Sequence, residues 1–241
     1  MKMNKISVLS TTVITIAAIC LIIGCSKDNT LMKDANLAND NVTIAEDLLY
    51  SDLTVEELPD CNFEIISSVP LDEVEVEMLK YVREEEKMAH DVYYVLSGIY
   101  KKPIFNKIME SEQDHMDKVL CLMIHYNVED PASDEIGEFT NDQIQELYDY
   151  LIDLGTKNII DGLTAGAIIE DHDIKDLNDW MELTVKESII SVFTNIVCGS
   201  GNHIISFSDL LDGFGTEYSP IYITETEYQD ILDAGSQFCG F

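Results

Sequence analysis

The sequence predicts an all-α fold, a bundle of four long helices, and three observations carry that prediction. Over four separate stretches of about 25 residues, apolar side chains recur every three or four positions, the period of a helix with one buried face. Near its middle, each stripe is interrupted by a polar or ionisable residue. The stretches form two short-turned pairs joined by one long connection that contains a shorter helix of its own, an arrangement known among four-helix bundles.

The chain begins with a segment outside that fold. Lys2 and Lys5 precede an apolar run, Val13 to Ile23, which ends in Leu21-Ile22-Ile23-Gly24-Cys25-Ser26. The run is shorter than the roughly 20 residues of a comfortable membrane span and has the charged, apolar, small order of an export signal. Its end resembles a bacterial lipobox, so residues 1–24 are expected to be cleaved and Cys25 to carry the lipid. An uncleaved N-terminal anchor is the alternative. Both place the folded part outside the cytoplasm, at the outer face of the cell membrane. Residues 25–69, rich in Asp, Asn, Glu, Thr and Ser, read as a polar tether.

The bundle is expected over residues 70–215. Pro70 and the acidic Asp72, Glu73 and Glu75 suit a helix N-terminus. The first stripe runs Leu79, Val82, Glu86, Ala89, Tyr93, Leu96, with Gly98 at its fraying end. Glu85 lies on an adjoining stripe and competes with Glu86, while Glu84 is expected to be solvated. After Lys101-Lys102-Pro103 the second stripe reads Ile104, Ile108, Glu112, His115, Val119, Leu122, Tyr126. A loop with Pro131 and Gly137 leads to a short helix over about 141–154, with Thr140 as its cap and Gly155 as its stop. The third stripe is Ile160, Leu163, Ala167, Glu170, Ile174, Leu177, Met181. The fourth is Ile189, Phe193, Ile196, Ser200, His203, Phe207, Leu210. Residues 216–241 form a C-terminal extension.

Composition narrows the function. A net charge of −32 repels phosphate backbones and argues against nucleic acid as a partner. The chain has six cysteines but no Cys-x-x-Cys, which argues against zinc-ribbon, rubredoxin-type, thioredoxin-type and haem-attachment motifs. Cys61 and Cys239, near the two ends of the mature chain, are candidates for a disulfide in an oxidising compartment. Cys198 reads as a small buried residue, and His90, His125 and His172 as exposed or peripheral.

A carboxylate and an imidazole in an apolar stripe leave water together, which is costly unless each finds a partner. His115 and His203 lie on the stripes, but no Lys or Arg does. Glu86, Glu112 and Glu170 therefore lack a cationic side chain in the core, and a metal ion supplies that charge. Depth agrees: Glu86 and the Glu112 to His115 pair lie roughly 17–22 Å from their shared turn at 1.5 Å per residue. A calcium loop on Asp171, Asp173 and Glu182 is disfavoured by Lys175 and by the unbroken apolar stripe.

The segments Arg83 to Tyr93, Ser111 to Met116, Ala167 to Ile174 and Gly199 to His203 together resemble an uncharacterised branch of the ferritin-like superfamily, over roughly residues 70–232. In relatives such as rubrerythrin and bacterioferritin, the first and third helices each give a Glu and the second and fourth each give Glu-x-x-His, which together hold two irons. The resemblance implies that Glu86, Glu112, His115, Glu170 and His203 are the ligands here. Ser200 departs from it, standing where the fourth helix should offer a Glu, and Asp173 is the residue expected to compensate. The implied cofactor is iron, or manganese, as one or two ions. The implied function is an oxidoreductase, peroxidase-like or ferroxidase-like, acting on oxygen, peroxide or ferrous iron. The partners expected are the membrane through Cys25, an external electron donor and a second copy in a homodimer. A non-catalytic metal-binding or structural cell-envelope domain is the competing reading.

Overall fold

The computed structural model describes Pro59, Cys61 and residues 69–240; the expected export signal, Cys25 and most of the expected tether lie outside these. The described residues form six helices and no strand: α1 (Glu73–Tyr100), α2 (Pro103–Tyr126), α3 (Asp142–Gly155), α4 (Ile159–Met181), α5 (Glu187–Gly213) and α6 (Glu225–Ala234).

Local chemistry sets the ends. Asp72 accepts from the Glu75 amide while the Glu75 side chain accepts from the Asp72 amide, closing a capping box at the start of α1. That helix does not fray at Gly98: it continues to Tyr100 and stops where Lys101 turns left-handed, with φ 49°. Pro103 opens α2, where its missing N–H costs nothing. The cap of α3 is Asn141 rather than Thr140. The Thr140 amide and hydroxyl and the Asn141 amide all donate to Glu84. Glu84 is therefore buried as an anchor for the crossover, not solvated.

The bundle is a ring. α1 packs on α2 and α4 on α5, as the short turns require, and the pairs join through α2 on α5 and α1 on α4. α3 lies against α1 and α4, and α6 against α5. α4 and α5 approach closely at Gly166, where an added Cβ would lie 2.4 Å from the Phe207 ring. On α5 the buried residue near the end is Leu211, and Leu210 faces out.

The apolar core falls into two clusters. One gathers Met88, Tyr93, Leu96, Phe105, Ile108, Leu163, Ile204 and Phe207. The other gathers Met78, Val82, Val119, Leu122, Leu177, Ile189, Phe193 and Ile196. Along α1, α2 and α5 the gap between the clusters holds the polar residues singled out in the sequence, and on α4 Glu170 is set within the first cluster, between Ile169 and Ile174.

Two disulfides staple the bundle, Cys61 to Cys121 on α2 and Cys198 on α5 to Cys239, each with Cα atoms 5.5 Å apart. The expected Cys61–Cys239 pairing is thus corrected. Each terminal segment returns to a different helix of the bundle, and Cys198 is a bridge rather than a small buried filler.

Candidate metal centre

Five side chains from four helices meet in the polar layer. Glu86 comes from α1, Glu112 and His115 from α2, Glu170 from α4 and His203 from α5. The first four are buried, and the His203 side chain keeps 12% exposure. His115 Nδ1 lies 2.7 Å from Glu112 Oε2 and 3.2 Å from Glu86 Oε2. His203 Nδ1 lies 3.0 Å from Glu112 Oε1 and 3.2 Å from Glu170 Oε2. Glu112 thus turns one oxygen to each imidazole. The ligand atoms form two triads, Glu86–Glu112–His115 and Glu112–Glu170–His203, each with its atoms within 4.8 Å of one another. Glu112 belongs to both.

These groups fit a cation better than they fit one another. Each imidazole makes a hydrogen-bond contact with a carboxylate on another helix, His115 with Glu86 and His203 with Glu170. Both oxygens of Glu112, though close to the rings, accept no aligned hydrogen bond, and neither does Glu86 Oε1. Close approach to the imidazoles without aligned hydrogen bonds compensates a buried carboxylate only in part, and cations held by the triads would satisfy all three oxygens. The cationic side chains buried on α1 are engaged elsewhere: Arg83 pairs with Asp130, and Lys87 with Asp91 and the Glu135 carbonyl.

The surroundings hold the ligands in place. Tyr93, fully buried, donates a short hydrogen bond to Glu170 Oε1, leaving Oε2 for the centre. Gly199 brings the α5 backbone against the His115 ring, where a Cβ would meet Nε2 at 2.8 Å. Ser200 is buried and donates to the Ile196 carbonyl of its own helix, so it brings no anion.

Protonation reflects the crowding of charge. Burial pushes Glu86 up to about 8 despite the pull of His115. Burial likewise raises Glu170, and it raises Asp173 with help from Glu85 and Glu86. Burial opposes ionisation of Glu112 as well, but His115 and His203 hold it below the ordinary carboxylate range. The imidazoles answer in kind: against burial, Glu170 and Glu112 hold His203 up at about 10, and Glu112 keeps His115 well above its usual value. In the absence of a metal, the site balances its charge with protons.

Asp173 is fully buried with both oxygens unpartnered. Its ligand atom groups with Glu85 and His172, not with either triad that shares Glu112. His172 is a correction: it is buried, with Nδ1 2.6 Å from Glu85 Oε1. It lies two positions past Glu170, on a helix face that a stripe of α4 alone assigns to solvent. That face is covered by α1 and by Tyr222, whose ring meets His172 edge-on. Asp171, which the sequence offers only in the disfavoured calcium loop, has a structural role: it accepts from the Tyr218 hydroxyl and the amides of Ile221, Tyr222 and Ile223.

An open groove of about 570 Å³ lies between α2 and α5, with His203, Ile108 and Ser111 among its lining residues. His203, the partly exposed member of the polar layer, thus borders it.

Residues 75–235 match the family described as an uncharacterised protein domain, DUF2202. The chain is similar to the uncharacterised protein MJ0754 of Methanocaldococcus jannaschii, at 44% identity over 178 residues, spanning 72% of this chain and 96% of that protein. The crystal structure of the hypothetical protein MJ0754 from Methanococcus jannaschii matches at 42% identity with a TM-score of 0.71, covering 72% of this chain and all of the other.

Proposed function

The chain belongs to the DUF2202 family, and from the site its helices assemble we infer a ferritin-like protein with a dinuclear metal centre, held outside the cytoplasm by a lipid on Cys25. Glu86, Glu112 and His115 would hold one ion and Glu112, Glu170 and His203 the other. The observation that carries this reading is Glu112, a fully buried carboxylate that belongs to both triads and turns each oxygen to a different imidazole. Mixed carboxylate and imidazole donors suit iron or manganese.

Bound iron would supply one-electron redox chemistry towards oxygen, peroxide or ferrous iron. The protein's part is positioning. Tyr93 fixes Glu170, Gly199 allows His115 its place, and the two apolar clusters exclude bulk water above and below the layer. His203 lines the groove between α2 and α5, where small solutes would reach it. Reducing a peroxide to water needs two electrons and two protons. The described residues contain no Cys-x-x-Cys, so an external donor is the proposed electron source. Two disulfides among the described residues support an oxidising compartment.

The missing fourth-helix carboxylate at Ser200 favours a second reading, metal capture without turnover. The two separate on one assay: consumption of peroxide or ferrous iron by the iron-loaded protein. Turnover that is lost in Glu112→Ala and His115→Ala supports the oxidoreductase. Tight metal binding without consumption of oxidant leaves metal capture.

A further inference from the structure

We propose that the chain carries a second, separate cation site on Glu85, His172 and Asp173, beside the Glu112-sharing centre, and that it takes a divalent transition ion. The three residues come from α1 and α4, and their ligand atoms lie within 4.8 Å of one another. All three are buried, Glu85 and Asp173 completely.

The argument rests on unpartnered atoms. Both oxygens of Asp173 and Oε2 of Glu85 are buried without a hydrogen-bond partner. An ion pair between His172 and Glu85 accounts for Glu85 Oε1 only. It leaves three oxygens of two neighbouring carboxylates buried without a donor, a destabilising arrangement in a dry interior. A cation accepts all of them at once. His172 presents Nδ1 to a carboxylate of another helix, as His115 and His203 do in the first centre, so the donor type and its aim are the same.

Chemistry narrows the ion. Two carboxylates and one imidazole suit iron, manganese or zinc, whereas calcium and magnesium favour oxygen ligands throughout. The His172 side chain is 11% exposed, and Asp176, 26% exposed, lies 3.7 Å from its Nε2. Asp176 thus places a partly exposed negative charge beside His172, which adds to the attraction for a cation at the triad. The site shares no ligand with the Glu112 centre, so it stands whether or not that centre turns over substrate.

The test is metal stoichiometry on the full-length chain, with cobalt(II) as the probe because its absorption reports nitrogen and oxygen coordination. Wild type, His172→Gln, Asp173→Asn and Glu112→Gln are loaded, dialysed and assayed for cobalt per chain. The expected result is one equivalent fewer in His172→Gln and in Asp173→Asn than in wild type, with that equivalent retained in Glu112→Gln. Equal cobalt in wild type and His172→Gln overturns the proposal. So does a loss in Asp173→Asn of the same ions that Glu112→Gln loses, because Asp173 would then belong to the first centre. Should a variant fail to fold by circular dichroism, anomalous scattering from cobalt in wild-type crystals decides. A peak between Glu85, His172 and Asp173 supports the site, and its absence beside an occupied Glu112 centre refutes it.

Discussion

At the scale of the residue, a small number of atoms decide what the layer can hold. Gly199 carries no chemistry, yet a single methyl there would press on His115 Nε2 from 2.8 Å. Gly199→Ala is expected to tilt the ring and weaken metal binding by roughly 10–100-fold, the range for groups that orient a ligand, with helix content unchanged; titration with manganese checks it. Protons compete for the same atoms. Glu86 has a folded-state pKa of about 8 against 4.5 ordinarily, so between those values the folded chain holds a proton that the unfolded chain has released. That contribution to stability is complete below the lower value and lost as pH rises through the upper one. His203, raised from 6.5 to about 10, acts in the same direction over the range above. Metal-free protein should therefore melt at a lower temperature at pH 8 than at pH 5.5. The fall should be shallower in Glu86→Gln, and bound metal should offset it, because the cation takes the protons' place. Calorimetry across that range is the measurement.

Elements place those atoms. Each long helix brings its polar residue to one depth because the same three-to-four spacing that buries Val82, Val119, Leu177 and Phe193 also fixes the phase of Glu86, His115, Glu170 and Ser200. This is why the convergence of Glu86, Glu112, His115, Glu170 and His203 in one layer was readable from periodicity, with Glu85 left in competition with Glu86. His172, Glu84 and Asp171 were not, because their burial comes from neighbours that a single-helix pattern does not contain: α1 and Tyr222, the crossover, and the C-terminal segment. α6 was missed for a related reason: at ten residues it is short, and it buries only Tyr228. The disulfide partners were unreadable because spacing along the chain does not encode which helix a terminal segment returns to. Asp171 gives the element scale its test. It binds the amides of Ile221, Tyr222 and Ile223 just ahead of α6. Asp171→Ala leaves these donors without their acceptor and is expected to cost roughly 2–4 kcal/mol in urea unfolding, with amide exchange rising first in residues 218–234. Uniform protection across that segment would show that Asp171 does not anchor it.

For the whole molecule, the division of the core is the central fact. A four-helix bundle of this size would be more stable with one continuous apolar interior, since an unpaired charge in a dry layer is destabilising. This chain instead interrupts its core with Glu85, Glu86, Glu112, Glu170 and Asp173, and arranges imidazoles among them. A strongly acidic surface, net −32 over the chain, adds an attraction for cations outside. The fold class and the ring of α1, α2, α5 and α4 were legible because amphipathic period and connection length leave little choice. What the bundle is for depends on whether the layer holds metal. The most direct measurement is elemental analysis of protein refolded anaerobically with ferrous iron, wild type against the Glu112→Ala, His115→Ala double variant, with circular dichroism confirming that both are folded. The expected result is iron retained through dialysis by the wild type, with the Glu112-dependent ions lost from the variant. Iron absent from a folded wild type, or equal in the two proteins, would contradict a cation-binding role for the Glu112 layer.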